Sequence, residues 1–167
     1  SISSLSSNAQ SVNFDSTNGK IDAENGNLDL TFTDGVMQSA KADADLVKFS
    51  SSDGNIESTK GQLDLTFNDQ GKMSVLNASV ETLEYTKGET TANVKDGRVD
   101  LKFDSAGNLT NASGQAANFV VDNNGTNIIA DNTAVSAKYS ENGLLSNISA
   151  QNGKVIANGD FGNIEAT

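Results

Sequence analysis

The stretch Gly61–Ser79, GQLDLTFNDQGKMSVLNAS, alternates apolar and polar residues, turns at a glycine, and alternates again. Period two puts Leu63, Leu65 and Phe67 on one face of an extended segment and Asp64 and Thr66 on the other, as in a half-buried strand. A helix fits badly, because branched and aromatic residues favour strands and Asn-Gly or Asp-Gly pairs interrupt the pattern before a helix reaches its usual length. The stretch therefore reads as a β-hairpin turned at Gly71.

The same pattern recurs at residues 19–49, 54–85, 91–119 and 127–157, with turn glycines Gly35, Gly71, Gly107 and Gly143 each 36 residues apart. A fixed period of this size signals stacked supersecondary units. Inward-facing triplets before each turn align in three rows: Leu28, Leu63, Val99, Val135; then Leu30, Leu65, Leu101, Ala137; then Phe32, Phe67, Phe103, Tyr139. Return strands follow, as in Met73–Val80 and around Leu109, Ala112 and Phe119. The adjacent Val75 and Leu76 break the alternation and predict a bulge or a strand corner.

A second bend is expected near Gly26, Gly61 and Gly97. The fourth copy has Thr133-Ala134 there, so its bend should be less sharp or differently built. Leu5–Phe14 matches a return strand and Gly162–Thr167 nearly duplicates Gly54–Thr59, so partial repeats continue the series at both ends. No linker divides the chain, which reads as one domain over residues 1–167. The fold class is all-β and antiparallel, a solenoid-like stack of about four 36-residue hairpin repeats.

Smaller residues, Ala40, Ala42, Ala44, Ala78, Ala112, Ala116 and Ala150, are expected on strands opposing the rows. Large residues facing small ones fit either two tightly packed sheets or an elongated groove open to an apolar ligand.

Composition narrows the chemistry. The 167 residues include no Cys and no His, which removes disulfides, thiolate zinc sites and imidazole bases, and with them most hydrolase and metalloenzyme mechanisms. A formal charge of −11, from 22 acids against 11 bases, argues against a nucleic-acid partner. With no Pro, every backbone N–H is available to a ladder, and abundant Gly, Asn, Ser and Asp supply turns. Leu, Ile, Val and Phe make up about 23% of the chain, which predicts a thin core. No stretch is long and apolar enough for a membrane-spanning helix. The first residues, Ser1-Ile2-Ser3, lack a Met and a secretory-signal succession, which points to a processed or trimmed start.

Candidate chemical motifs reduce to the repeat. Asp29, Asp64 and Asp100 recur at one repeat position, but they alternate with inward Leu and read as a solvated outer face rather than a calcium ladder; Ser136 breaks the series. The turns at Ser52-Asp53-Gly54 and Asp122–Gly125 lack the spaced ligands of a calcium loop. Asn77, Asn111, Asn124 and Asn147 head glycosylation-type triplets, three of them at equivalent repeat positions, so the repeat explains them without a sugar. No cofactor or catalytic residue is expected, and paired glycosidase acids lack an aromatic sugar platform.

Residues 128–155, IIADNTAVSAKYSENGLLSNISAQNGKV, resemble the repeat of the OstA/LptA family of lipopolysaccharide-transport proteins, loosely I-x-A-(about five)-A-x-Y-x-x-x-G-x-L-x-x-I-x-A-x-G-x-V. The resemblance covers this repeat well and all four in outline. It implies an elongated β-taco or β-jellyroll whose apolar interior holds lipid acyl chains or lipopolysaccharide. It also implies end-to-end strand contacts with itself or related domains, and a periplasmic location. The groove would be lined by the twelve residues of the three rows. The alternative expectation is a structural or adhesive β-repeat protein with a filled core, a fibre, stalk or appendage subunit that is extracellular or at the cell surface.

Overall fold

Every half of every long strand points its alternate residues into one interior, and the sheet folds over to make this possible. The computed structural model describes residues 2–167. Among them the chain forms eleven strands: β1 (Ser4–Ser16), β2 (Gly19–Thr33), β3 (Val36–Ser51), β4 (Gly54–Phe67), β5 (Met73–Lys87), β6 (Thr90–Phe103), β7 (Leu109–Asn123), β8 (Thr126–Tyr139), β9 (Leu145–Gln151), β10 (Lys154–Gly159) and β11 (Gly162–Ala166). All pair antiparallel in one elongated sheet, each with its chain neighbour through β8, after which β9 and β10 share the far edge of β8 and β11 adds to β10. The sheet is an open β-taco, not a closed barrel.

The predicted second bend lies at the middle of each strand, so the two halves of one strand belong to two facing arms. In β2 the buried positions run Ile21, Ala23 and then Leu28, Leu30, and in β3 they run Ala40, Ala42, Ala44 and then Val47, Phe49. The parity of the inward residues thus changes at the middle of each long strand, and β3, β5 and β7 change it a second time near the far turn, between Met37 and Ala40, Met73 and Leu76, and Leu109 and Ala112. A flat strand keeps one parity and would send half of these side chains to solvent. The mid-strand slip is made by a residue in the left-handed region on each outbound strand: Asn25 (φ 53°), Lys60 (φ 49°), Asp96 (φ 52°) and Asn132 (φ 49°). These four residues form a spine along which the sheet is creased.

A glycine follows the spine residue three times because neighbouring backbone crowds it. A Cβ on Gly26 would lie 2.6 Å from Ala44 Cα, and one on Gly97 would press on Gln115 O and Ala116. The fourth crease is built differently, as Thr133-Ala134 predicts. Thr133 is buried and its hydroxyl donates to Gln151 O, while the glycine moves to the neighbouring strand: a Cβ on Gly153 would stand 2.6 Å from Thr133 Cβ. Asn152, beside it, has φ 61°, and the return strand breaks there into β9 and β10.

At the far turns the bulges fall near the predicted place. The register shifts between Thr66 and Phe67, between Lys102 and Phe103, and between Lys138 and Tyr139, with Thr66 paired to Val75 and Phe67 to Met73. Hydroxyls fill the resulting gap in the ladder: Ser74, Thr110 and Ser146 each donate at 3.1 Å to the carbonyl of Thr66, Lys102 and Lys138. The turn itself is closed by a side-chain acceptor, Asn68 for Gln70 and Lys72 N–H and Asp104 for Ala106 and Asn108 N–H.

These bonds, chiefly from Asn108 N–H, hold the Asp104 carboxyl below its ordinary value of 3.8, with solvent around it. A depressed carboxylate stabilises the fold above its unfolded value, and the contribution disappears as pH falls through the folded one. Asp104→Asn keeps an acceptor that does not titrate. Its acid unfolding below about pH 4 is expected to be shallower than that of the parent, read by circular dichroism across an acid series.

Candidate functional site

The interior is the one place where the three predicted rows meet, and the fold brings all twelve residues to it. Leu28, Leu30, Leu63, Leu65, Phe67, Val99, Leu101, Phe103, Val135, Ala137 and Tyr139 are buried, none above 8% exposed, and Phe32 is half-buried against them. These values hold with protein atoms alone around each side chain, so the rows are covered by the protein itself.

What covers them was only partly legible. The alanines expected to oppose the rows lie beside them in the same arm: Ala42 pairs with both Leu28 and Leu63, and Ala78 with both Leu63 and Val99. Ala150, expected inside, is exposed. The residues that face the rows come from the other arm: Ile21, Val47, Phe49, Ile56, Leu83, Tyr85, Phe119 and Ile128, all buried. Their alternation, as in Val47-x-Phe49, Leu83-x-Tyr85 and Phe119-x-Val121, is the signal that marks them, displaced in parity by the crease. Large residues therefore face large or small ones across a filled space. Phe119 shows how: its ring lies where a Cβ on Gly114 of the opposite arm would be, 2.9 Å away.

Opposite the spine, where the two arms end, lies the mouth of the fold, and aromatic pairs close it. Phe14 meets Phe32 at 5.7 Å between ring centroids, Phe49 meets Phe67 at 5.9 Å, and Tyr85 meets Phe103 at 5.3 Å, all tilted. Such pairs favour this offset geometry and add to their burial. Turn side chains then reach across. Asn18 Nδ2 donates to Gly71 O (3.1 Å) and its Oδ1 accepts from Met37 N–H (3.4 Å), while Asp53 Oδ2 accepts from Met73 N–H (2.9 Å). Tyr85 donates to Asp53 O (3.3 Å), and Lys87 Nζ donates to Gly107 O (3.1 Å). Burial, and then the Asp53 charge, push the Tyr85 phenol well above its usual range; burial and Asp122 do the same to Tyr139. Both phenols stay neutral at any physiological pH.

Removing the second latch with Asp53→Ala leaves Met73 N–H without its acceptor. A loss of about 1–3 kcal/mol is expected, the cost of stranding a buried donor of a charge-assisted bond. Urea unfolding measures it, and an unchanged midpoint would show that the latch is not holding the mouth.

The outer faces carry the polar residues. Asp29, Lys41, Asp64, Asn77, Asp100 and Ser113 follow one another strand by strand across the second arm, so a Lys or an amide separates each pair of acids. A shallow concavity of about 460 Å³ lies here, lined by Asp64, Asn77, Asp100, Arg98 and Gln115, with Arg98 donating to Gln115 at 3.1 Å. Among the described residues no three His, Cys, Asp or Glu gather closely enough to hold a metal ion. Comparison of the sequence with protein-family models and with curated proteins finds no match.

Proposed function

We propose that this is a non-enzymatic structural β-repeat module, a spacer or stalk of the cell surface or periplasm that is continued at the edges of its sheet. The observation that carries this reading is the filled interior: the three rows are covered by the facing arm, and the mouth is closed by aromatic pairs and latches. The edges support it too. Among the described residues no strand pairs with the outer edge of β1 or of β11, and of the large apolar residues left exposed Ile2, Leu5, Phe161 and Ile164 lie in or beside these strands, while Leu144 lies in the turn before β9. A further repeat or a second copy of the chain would add a strand there by backbone pairing.

The second reading, a carrier of acyl chains in the manner of the OstA/LptA family, draws on a specific feature, a continuous apolar interior from Ile21 to Ala157. It requires the mouth to open, separating the aromatic pairs and breaking the Asn18 and Asp53 bonds. Displacement of a fluorescent fatty acid from delipidated protein, together with native mass spectrometry, separates the two. The structural module is expected to bind neither acyl chains nor lipopolysaccharide and to form concentration-dependent end-to-end oligomers or belong to a longer array. Saturable acyl-chain binding that is lost on filling the row with Ala137→Phe would overturn it.

A further inference from the structure

The outer face of the second arm, which carries Asp29, Asp64 and Asp100, differs in charge from the rest of the molecule. From β2 to β8 its outward ionic side chains are Asp29, Asp43, Asp64 and Asp100 against Lys41, Arg98, Lys102 and Lys138, so this face has no net charge. The chain as a whole carries −11. The entire excess of acid therefore lies on the other arm, the crease and the turns. On the other arm Glu57 pairs directly with Glu84.

The charges on the neutral face are also sorted. Its β2 to β4 half holds Asp29, Asp43 and Asp64 with Lys41 alone, and its β6 to β8 half holds Arg98, Lys102 and Lys138 with Asp100 alone. Between the halves, β5 shows the uncharged Val75, Asn77 and Ser79. All eight ionic groups are exposed except Asp64, which is half-buried. None is used in a salt bridge: the ion pairs among the described residues join Lys20 to Asp22, Lys60 to Glu81 and Lys154 to Glu165, on the other arm and at the crease.

We infer that this face pairs with a second copy of the chain, outer face on outer face, about a two-fold axis that runs along β5. Such an axis sets β2 over β8 and β4 over β6 of the second copy, so an acidic half meets a basic half twice over. The remaining surface repels another acidic copy, which leaves this face for side-by-side contact. Seven strands about 4.8 Å apart and six residues of about 3.3 Å each make a patch of about 30 by 20 Å, or about 600 Å² per copy, at the lower end of specific interfaces. The shallow concavity over Asn77, Asp100 and Gln115 lies beside the axis, and bridging water fills such spaces in polar interfaces. This lateral pairing is separate from continuation at the sheet edges and independent of what the interior holds.

The test is sedimentation of the purified chain, up to millimolar concentration, across a series of ionic strengths. Dimer formation is expected to peak near physiological salt, where a screening length of about 8 Å hides the distant acids but not charges in contact, and to fall at about 1 M, where about 3 Å remains. The double variants Lys102→Glu/Lys138→Glu and Asp29→Lys/Asp64→Lys, folded by circular dichroism, should each weaken self-association by about tenfold or more. An equal mixture of the two should restore the dimer, because each reversed half then meets its opposite. End-to-end growth at the sheet edges passes beyond two copies and does not depend on these four residues, so the two kinds of association are told apart. Three results overturn the inference: a monomer throughout the series, association that neither variant weakens, or a mixture no tighter than its components.

Discussion

Gly97→Val is expected to lower the unfolding free energy by about 3 kcal/mol or more, since the clash involves backbone rather than a movable side chain. The added Cβ alone would press on Gln115 O and on Ala116, and the valine methyls have no room behind it. Gly97 lies in β6, paired on both sides, so relief requires the crease to open and the two arms to part there. The residue before it provides the control. Asp96, at φ 52°, is exposed, and Asn tolerates that conformation as Asp does, so Asp96→Asn should change stability by less than about 0.5 kcal/mol. Equal effects of the two substitutions in urea would mean that the crease is not set by close backbone approach.

Phe119→Ala should cost about 3–5 kcal/mol, the range for removing a large ring from a packed core. Phe119 is 1% exposed, and its ring occupies the hollow over Gly114 on the opposite arm. Nothing in a close-packed interior can move in to replace it, so a cavity remains. An interior with slack for a guest would lose less, below about 1 kcal/mol, because neighbouring groups could close around the gap. Thermal or urea unfolding of this one variant therefore bears on function as well as stability, since a small loss would favour the acyl-chain reading.

The strands, the turns and one arm of the core were legible because they depend on neighbours in sequence. Leu63, Leu65 and Phe67 alternate with Asp64 and Thr66, and the period of two says which face they share. Gly71 and its equivalents adopt the left-handed conformation that a tight turn requires, with φ between 75° and 86°. The arm that carries Val47 and Phe49 was less visible, although these residues alternate just as clearly. Reading across the crease with one parity assigns them to the outside; only the left-handed residue in the partner strand, Asn25 for β3, reverses that assignment. The alanines were misplaced for a related reason. Alternation tells which face a residue occupies, but not whether its large neighbour lies beside it in the sheet or across the interior.

The latches could not be read in advance. Asn18 and Gly71 are 53 residues apart and meet only because two turns from different repeats stand side by side at the mouth. Asn18-Gly19 and Asp53-Gly54 read alike as ordinary turn pairs, and nothing local distinguishes a side chain that caps its own turn from one that reaches another.

The even spacing of turn, crease and bulge makes the molecule divisible. Excising residues 72–107 would join Gly71 to Asn108, the residue that follows the equivalent turn glycine one repeat later, and every pairing on either side would find a matching partner. Two strands leave together, so the sheet shortens by about 10 Å along its stacking direction, two strand spacings. Inserting a copy lengthens it by the same step. A chain organised in this way works as a graduated rule: its reach changes in whole divisions, each gained or lost without redesigning the joints.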